Sequence, residues 1–311
     1  MKRRFGLLCP GQGAQDAAMF DLACHAPGVA DTLRCWPLET MLGMPLATVL
    51  ADPDLPFLSR LAQPLIVAAT LAAWEALRPL VPAPALVAGY SIGELSAHAI
   101  AGTIGPADAI SLAAERAALM DLCVQVGVPQ SLLAISGRRI EDVQTSLDAH
   151  CLHVAIVTGA DSFIVGGAET SLAAFRSTLA GFGVQCTALR VGVASHTPLM
   201  QGAAVAFADV LRQYRLADPA IPVLAGISGD RVRRGADVAA VLSAQMAHTI
   251  RWTDCMDAFS ESGIEVGLEL GPGSALSRML KARHPHMTTR SVADFRSVSG
   301  VVEWLDKQLD S

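Results

Sequence analysis

The chain has 311 residues, 52% of them hydrophobic and 17% charged, with a formal net charge of −6. That length and apolar content suffice for one large domain or two smaller ones, and the acidic balance argues against a nucleic-acid partner, since no basic face is there to release counterions. Seven cysteines, an odd number without CxxC spacing, read as buried thiols of a reducing compartment, and no apolar run reaches the length of a membrane span.

In chain order, Lys2-Arg3-Arg4 resembles the start of a signal peptide, but the apolar run behind it stops at Pro10-Gly11, too soon for an h-region. A soluble, cytoplasmic protein is therefore expected. Residues 5–9 read as a buried strand, broken by Pro10-Gly11-Gln12-Gly13-Ala14-Gln15. Glycines on both sides of Gln12 let the backbone turn tightly and expose an amide N–H. With neither GxGxxG nor Gly-Lys-Ser/Thr, this is not a phosphate-binding loop. Proline-dotted residues 37–61 mix short helices and loops, 63–77 have helical length, and 79–84 lead to a strand at 85–88.

Gly89-Tyr90-Ser91-Ile92-Gly93 follows that strand and precedes a helix over 92–101, with Gly102 at its C-terminal cap. Gly-x-Ser-x-Gly between strand and helix is the nucleophile-elbow signature. The serine needs a tight, strained turn to lift its Oγ clear of the sheet, and the flanking glycines remove Cβ atoms where strand and helix nearly touch. The following helix aims N–H groups at a developing oxyanion. The plainer alternative is a βα turn that happens to contain serine.

A second helix, with Asp108 as its expected N-cap, runs to about Cys123. Ala109, Leu112, Ala113, Arg116, Ala117 and Met120 share one stripe at helical spacing. Arg116 interrupts that apolar face. Either its stem packs while its head snorkels to water, or its guanidinium sits in a pocket wall to clamp a carboxylate.

Between 131 and 191 the rhythm changes. Strands at 132–135, 153–157, 163–165 and 185–191 and helices at 140–149 and 169–182 give the order β-α-β-β-α-β of a ferredoxin-like unit. Gly127-Val128-Pro129 and 194–198 are the expected crossings. The fold class is α/β: a parallel-sheet, α/β-hydrolase-like core (1–127 and 195–311) with an inserted ferredoxin-like subdomain (128–194). His196 stands where the chain returns to the core, before a helix expected at Pro198. It is either a capping or core group or the general base that an elbow serine requires; of eight histidines it is the best placed, with His248 its rival. The remainder offers a strand at 221–225, a helix at 238–246, and a strand at 265–270 ending in Gly271-Pro272-Gly273. Asp254 and Asp257 follow the histidine unusually late for a triad, so a Ser–His pair oriented by backbone or amide groups is an equal expectation. No repeat and no metal-ligand cluster is present in the sequence.

With Gly11-Gln12-Gly13-Ala14-Gln15, Gly89-Tyr90-Ser91-Ile92-Gly93-Glu94, Arg116, Ser195-His196-Thr197-Pro198 and Gly271-Pro272-Gly273 in this order, the chain resembles the malonyl-CoA:acyl-carrier-protein transacylase family over nearly its whole length. The resemblance implies a malonyltransferase in which Ser91 is the acyl-accepting nucleophile and His196 its base. It further implies that Arg116 pairs with the free carboxylate of malonyl, that the backbone amides of Gln12 and Ile92 form the oxyanion hole, and that the backbone carbonyl of Gln245 orients the histidine. No bound cofactor is implied: the CoA thioester is substrate, and the acceptor is the phosphopantetheine-type arm of an acyl carrier protein.

Two positions depart from most members, Tyr90 before the nucleophile and Thr197-Pro198-Leu199 after the histidine. In these the chain looks most like the epsilon subunit of bacterial malonate decarboxylase, which implies the decarboxylase carrier and its sister subunits as partners. The alternatives are the transacylase of fatty-acid or polyketide synthesis, a serine hydrolase sharing the elbow, and an inactive carrier-docking scaffold. Esterases order their parts as Ser, Asp/Glu, His, which this chain does not, and an idle scaffold has no reason to keep serine, histidine and arginine together.

Overall fold

The computed structural model describes residues 3–124, 128–180 and 183–310. In chain order the strands are β1 (Phe5–Cys9), β2 (Val87–Gly89), β3 (Gln130–Ser136), β4 (His153–Val157), β5 (Ser162–Ala168), β6 (Gln185–Ala188), β7 (Val223–Leu224), β8 (Arg231–Val232), β9 (Ile250–Arg251), β10 (Val266–Glu269) and β11 (Thr288–Ser291). They form two sheets, ordered β11-β10-β1-β2-β7-β8 and β6-β3-β5-β4-β9.

The first sheet is parallel from β11 to β7, with β8 antiparallel at its edge. All five residues of β1 are buried because the strand is central and covered on both faces. Phe5, Leu7 and Cys9 point to the side of the Ser59–Leu77, Gly93–Ile100 and Pro106–Asp121 helices, while Leu8 points with Leu224 toward the Trp252–Glu261 helix. This period-2 division along one strand sets the two layers of helices.

In the second sheet β3, β4, β5 and β6 carry the β-α-β-β-α-β connection, with β5 antiparallel to both β3 and β4, and β6 antiparallel to β3. Leu133, Ile135, Phe163 and Val165 pack with Val143, Leu147, Leu172 and Phe175 of its two helices, closing a small core on one face. Leu132 and Ile164 point the other way, into the cluster shared with the larger sheet. That second face is what brings the small unit over the elbow.

Several expectations shift. β9 was not anticipated: it comes from the returning chain yet pairs parallel with β4, extending the smaller sheet. The edge strand β11 and the Val298–Leu309 helix were likewise unread. β6 ends at Ala188 and not at 191, and residues 189 and 191 turn to line the cleft described below. Asp108 is not an N-cap: Gly105 holds that place with Pro106 at the first helical position, where its missing N–H costs nothing. The helix expected at Pro198 begins as a 3-10 turn, Pro198–Met200, and becomes regular over Gln201–Leu211. Gly127 of the expected crossing and Phe182 at the expected helix end lie outside the described residues. Among the described residues no helix is long and apolar enough to cross a membrane, and no group of three or more His, Cys, Asp or Glu is placed to hold a metal ion.

Candidate active site

Ser91 has φ +54°, in the left-handed region that a side chain seldom occupies. The strain is held from both sides. A Cβ on Gly89 would collide with the backbone of Glu94, and one on Gly93 with the carbonyl of Cys9, so only glycines allow β1, β2 and the Gly93–Ile100 helix to approach this closely. The Tyr90 N–H donates to the Cys9 carbonyl at 2.9 Å, tying the turn to the end of β1.

The Gln12 loop lies against this turn. A Cβ on Gly11 would come within 2.9 Å of the Tyr90 carbonyl and 3.6 Å of the Ser91 Cβ. Gln15 pins the loop from inside: its Oε1 accepts from the Gly13 N–H at 2.5 Å and its Nε2 donates to the Pro56 carbonyl at 2.9 Å. Gly271 and Gly273, with φ +87° and +80°, brace it from outside, where Cβ atoms would press on Thr70 and Pro10 and on Ala14. Among the described residues the amides of Gln12 and Ile92 donate to no partner. Both belong to the turns that flank Ser91.

His196 also has a left-handed backbone, φ +60°, and is 1% exposed. Its N–H donates to the Met246 carbonyl at 2.9 Å. Its Nδ1 lies 2.6 Å from the Gln245 carbonyl, and its Nε2 lies 2.7 Å from Ser91 Oγ. A carbonyl only accepts, so Nδ1 carries the proton and Nε2 presents its lone pair to the serine O–H. Burial, aided by the charge of Arg116, pushes the imidazole down to about 3, so at neutral pH it is an uncharged acceptor.

The acid candidates lie elsewhere. Asp254 pairs with Arg251, and Asp257 with Arg283 and His284. His248 bonds the Ala244 carbonyl at the end of its own helix. The serine–histidine pair is therefore completed by a backbone carbonyl.

Arg116 is 3% exposed, which rejects the snorkelling reading. Nη1 donates to Gln63 Oε1 at 2.6 Å and Nη2 to Gln245 Oε1 at 3.1 Å. Burial lowers its pKa to about 10, opposed by the charge of Glu94, and leaves it protonated at neutral pH. Gln245 reaches further than its carbonyl. Its Nε2 donates to the Ser91 carbonyl at 3.0 Å and to Glu94 Oε2 at 2.6 Å. Glu94 is itself fully buried, and burial raises it to about 7.

Ser91, His196, Arg116, Gln12 and Gln63 line one cleft, whose apolar wall comes from Met120 and from Leu132 and Ile164 of the smaller sheet. All six expected residues thus gather here: five around the cleft and turn, and Gln245 behind them. Gln63, Glu94 and the side chain of Gln245 were not foreseen. The signal was present in kind, since Gln63 and Glu94 stand among apolar neighbours as Arg116 does. Tyr90 lines the cleft and meets Trp252 edge-on at 5.2 Å, and Thr197 donates to the Ala194 carbonyl at 2.7 Å from a fully buried site.

Residues 7–301 match the acyl transferase domain family. The chain is 31% identical over 289 residues to the malonyl CoA-acyl carrier protein transacylase of Mycobacterium tuberculosis, covering 92% of this chain and 95% of that protein. It is 32% identical over 285 residues to part of a polyketide synthase of Streptomyces halstedii, covering 88% of this chain and 5% of the synthase. The solved structure of MCAT from Mycobacterium tuberculosis superposes with a TM-score of 0.88 at 29% identity, covering 96% of this chain and 99% of that one. On this agreement of motif order, fold and near full-length likeness, the chain belongs to the acyl transferase domain family, that of the malonyl-CoA:acyl-carrier-protein transacylases.

Proposed function

We propose that the chain moves a malonyl group from CoA to the thiol arm of an acyl carrier protein by way of an ester on Ser91. The observation that carries this reading is the opening of the Ser91–His196 pair onto the cleft in whose wall Arg116 is buried. A nucleophile, its base and a fixed cation share one small space, which suits an acyl group ending in a carboxylate. His196 Nε2 takes the Ser91 proton as Oγ attacks the thioester carbon. The amides of Gln12 and Ile92 meet the oxyanion, and collapse expels CoA thiolate, which takes the proton from the imidazolium. The carrier thiol then repeats these steps in reverse. Arg116 holds the malonyl carboxylate, which leaves little freedom for a water in line with the ester. CoA and the carrier's phosphopantetheine-type arm enter as substrates. We keep residues 128–194 as an inserted subdomain, with β9 as the point where the surrounding chain joins its sheet.

For the carrier, the relatives are a transacylase named for an acyl carrier protein and a polyketide synthase, which support the general transacylase reading, that of fatty-acid or polyketide synthesis, only as far as an acyl carrier protein. The malonate decarboxylase carrier rests on Tyr90 and Thr197 alone. Mixing the protein with malonyl-CoA and no carrier should add a malonyl mass to the Ser91 peptide, and Ser91→Ala should abolish it; an adduct surviving that change refutes the elbow assignment. Offering the loaded enzyme each carrier then decides between them: faster loading of the decarboxylase carrier upholds the narrower reading, and equal or reversed rates return the chain to the general transacylases.

A further inference from the structure

Glu94 stands three residues after the nucleophile, in the first turn of the Gly93–Ile100 helix, with no exposure. The turn itself is secured by its glycines, so it does not explain a carboxyl group in a dry interior, where an ionised side chain is costly unless paired. Oε2 accepts two donors, the Gly226 N–H at 3.0 Å and Gln245 Nε2 at 2.6 Å. Oε1 has no hydrogen-bond partner among the described residues. The carboxylate therefore acts chiefly on Gln245.

The amide of Gln245 has two opposite ends, and a half-turn about its last bond exchanges them. Arg116 can only donate, so it needs the oxygen end. That orientation sends Nε2 the other way, where its two hydrogens find the Ser91 carbonyl at 3.0 Å and Glu94 Oε2. Oε1, without a partner among the described residues, can carry the proton of a neutral carboxyl, so Oε2 accepts in either charge state and refuses the reversed amide as Arg116 does. Gln245 is held from both ends by groups of opposite hydrogen-bonding character, and Nη2 of Arg116 is held by Gln245. The second grip on the guanidinium, Gln63, comes from a different helix, and its hydrogen bonds among the described residues go to Arg116 and Met120.

We propose that Glu94 is a positioning residue for malonyl recognition: by fixing the Gln245 amide it fixes the Arg116 fork in the orientation that receives the substrate's free carboxylate. This rests on the reading of Arg116 given above. It predicts that losing the acceptor at position 94 injures malonyl transfer more than transfer of an acyl group without a carboxylate. It also predicts that the injury runs through Arg116.

The experiment measures kcat/KM for malonyl-CoA and acetyl-CoA in wild type, Glu94→Gln, Glu94→Asp, Glu94→Leu, Arg116→Ala and the double variant Glu94→Leu/Arg116→Ala. A misplaced binding fork costs on the order of tenfold or more. Glu94→Leu should therefore lower the malonyl-to-acetyl ratio about tenfold, with acetyl transfer changed by less than about threefold. Glu94→Gln keeps an oxygen for Gln245 and Gly226 and should restore most of the ratio. Glu94→Asp keeps the charge but draws the oxygen back, and should lose part of it; this variant carries the test if the leucine protein fails to fold. In the Arg116→Ala background the leucine change should leave the ratio where Arg116→Ala put it.

Equal losses for both thioesters would overturn the proposal, as would an unchanged ratio in Glu94→Asp and Glu94→Leu or a Glu94→Leu effect that persists without Arg116. A wild type indifferent between the two thioesters would instead overturn the reading of Arg116 itself, and this inference with it.

Discussion

Replacing Arg116 by alanine separates substrate recognition from chemistry. The guanidinium has five N–H donors, of which Gln63 and Gln245 occupy one each, and Arg116 lines the cleft. A charge-assisted bond between guanidinium and carboxylate is worth about 1.5–3 kcal/mol, so malonyl-CoA should exceed acetyl-CoA roughly tenfold to more than a hundredfold in kcat/KM. Arg116→Ala should remove most of that preference by lowering malonyl transfer. Acetyl transfer should hold level or rise, because the Arg116 charge is one of the causes that lower the basicity of His196. Arg116→Lys should recover only part, since a point charge cannot reproduce the fork. The assay is kcat/KM for both thioesters in all three proteins, with thermal melting as a check on folding, since the alanine leaves two amide oxygens without their donor. If Arg116→Ala lowered malonyl and acetyl transfer by the same factor, Arg116 would be a structural residue and the recognition argument would fail.

Three further outcomes are expected. His196→Ala should slow formation of the Ser91 ester by about a hundredfold or more while leaving CoA binding unchanged, because the imidazole moves a proton and does not hold the nucleotide; an equal loss of binding would count against that role. The stability of the fold should respond to pH through the same group. His196 is lowered from 6.5 to about 3, so the unfolded chain binds the extra proton between those values. Stability is then full above 6.5 and declines as pH falls toward 3, by at most about 1.4 kcal/mol per unit from this group. Glu94, raised from 4.5 to about 7, has the opposite sign: its contribution is full below 4.5 and lost as pH rises through 7. Denaturant melts of His196→Asn and Glu94→Gln against wild type from pH 4 to 8 should show these slopes, and parallel curves would refute them. Finally, Gly89→Ala should destabilise the fold by about 3 kcal/mol or more, because its Cβ meets the Glu94 backbone and not a yielding side chain; a cost under about 1 kcal/mol, read by the same melts, would contradict the packing described here.

What could be read directly from the chain was whatever depends on short range. The elbow is legible because its pattern spans only five residues, with Gly89 demanded by the backbone of Glu94 just after it, although the contact that demands Gly93 is the distant Cys9 carbonyl. The Ile140–Ala149 helix and the β-α-β-β-α-β order are legible because periodicity and turn residues are local. Arg116 was visible as a charge on an apolar stripe, but the stripe left its two fates open. The tertiary structure decided between them by burying the guanidinium between amides 53 residues before it and 129 after it. The same holds for the base: Ser91 and His196 stand 105 residues apart and meet only because the chain leaves for the smaller sheet and returns beside the elbow. Two-residue strands such as β9 are too short to show a period, and their pairing with β4 follows from where the larger core places them. Glu94 and Gln63 were hidden for a related reason. A buried polar side chain is recognised by the partner that satisfies it, and here those partners come from other helices and a distant loop, brought together only by the packing of the whole.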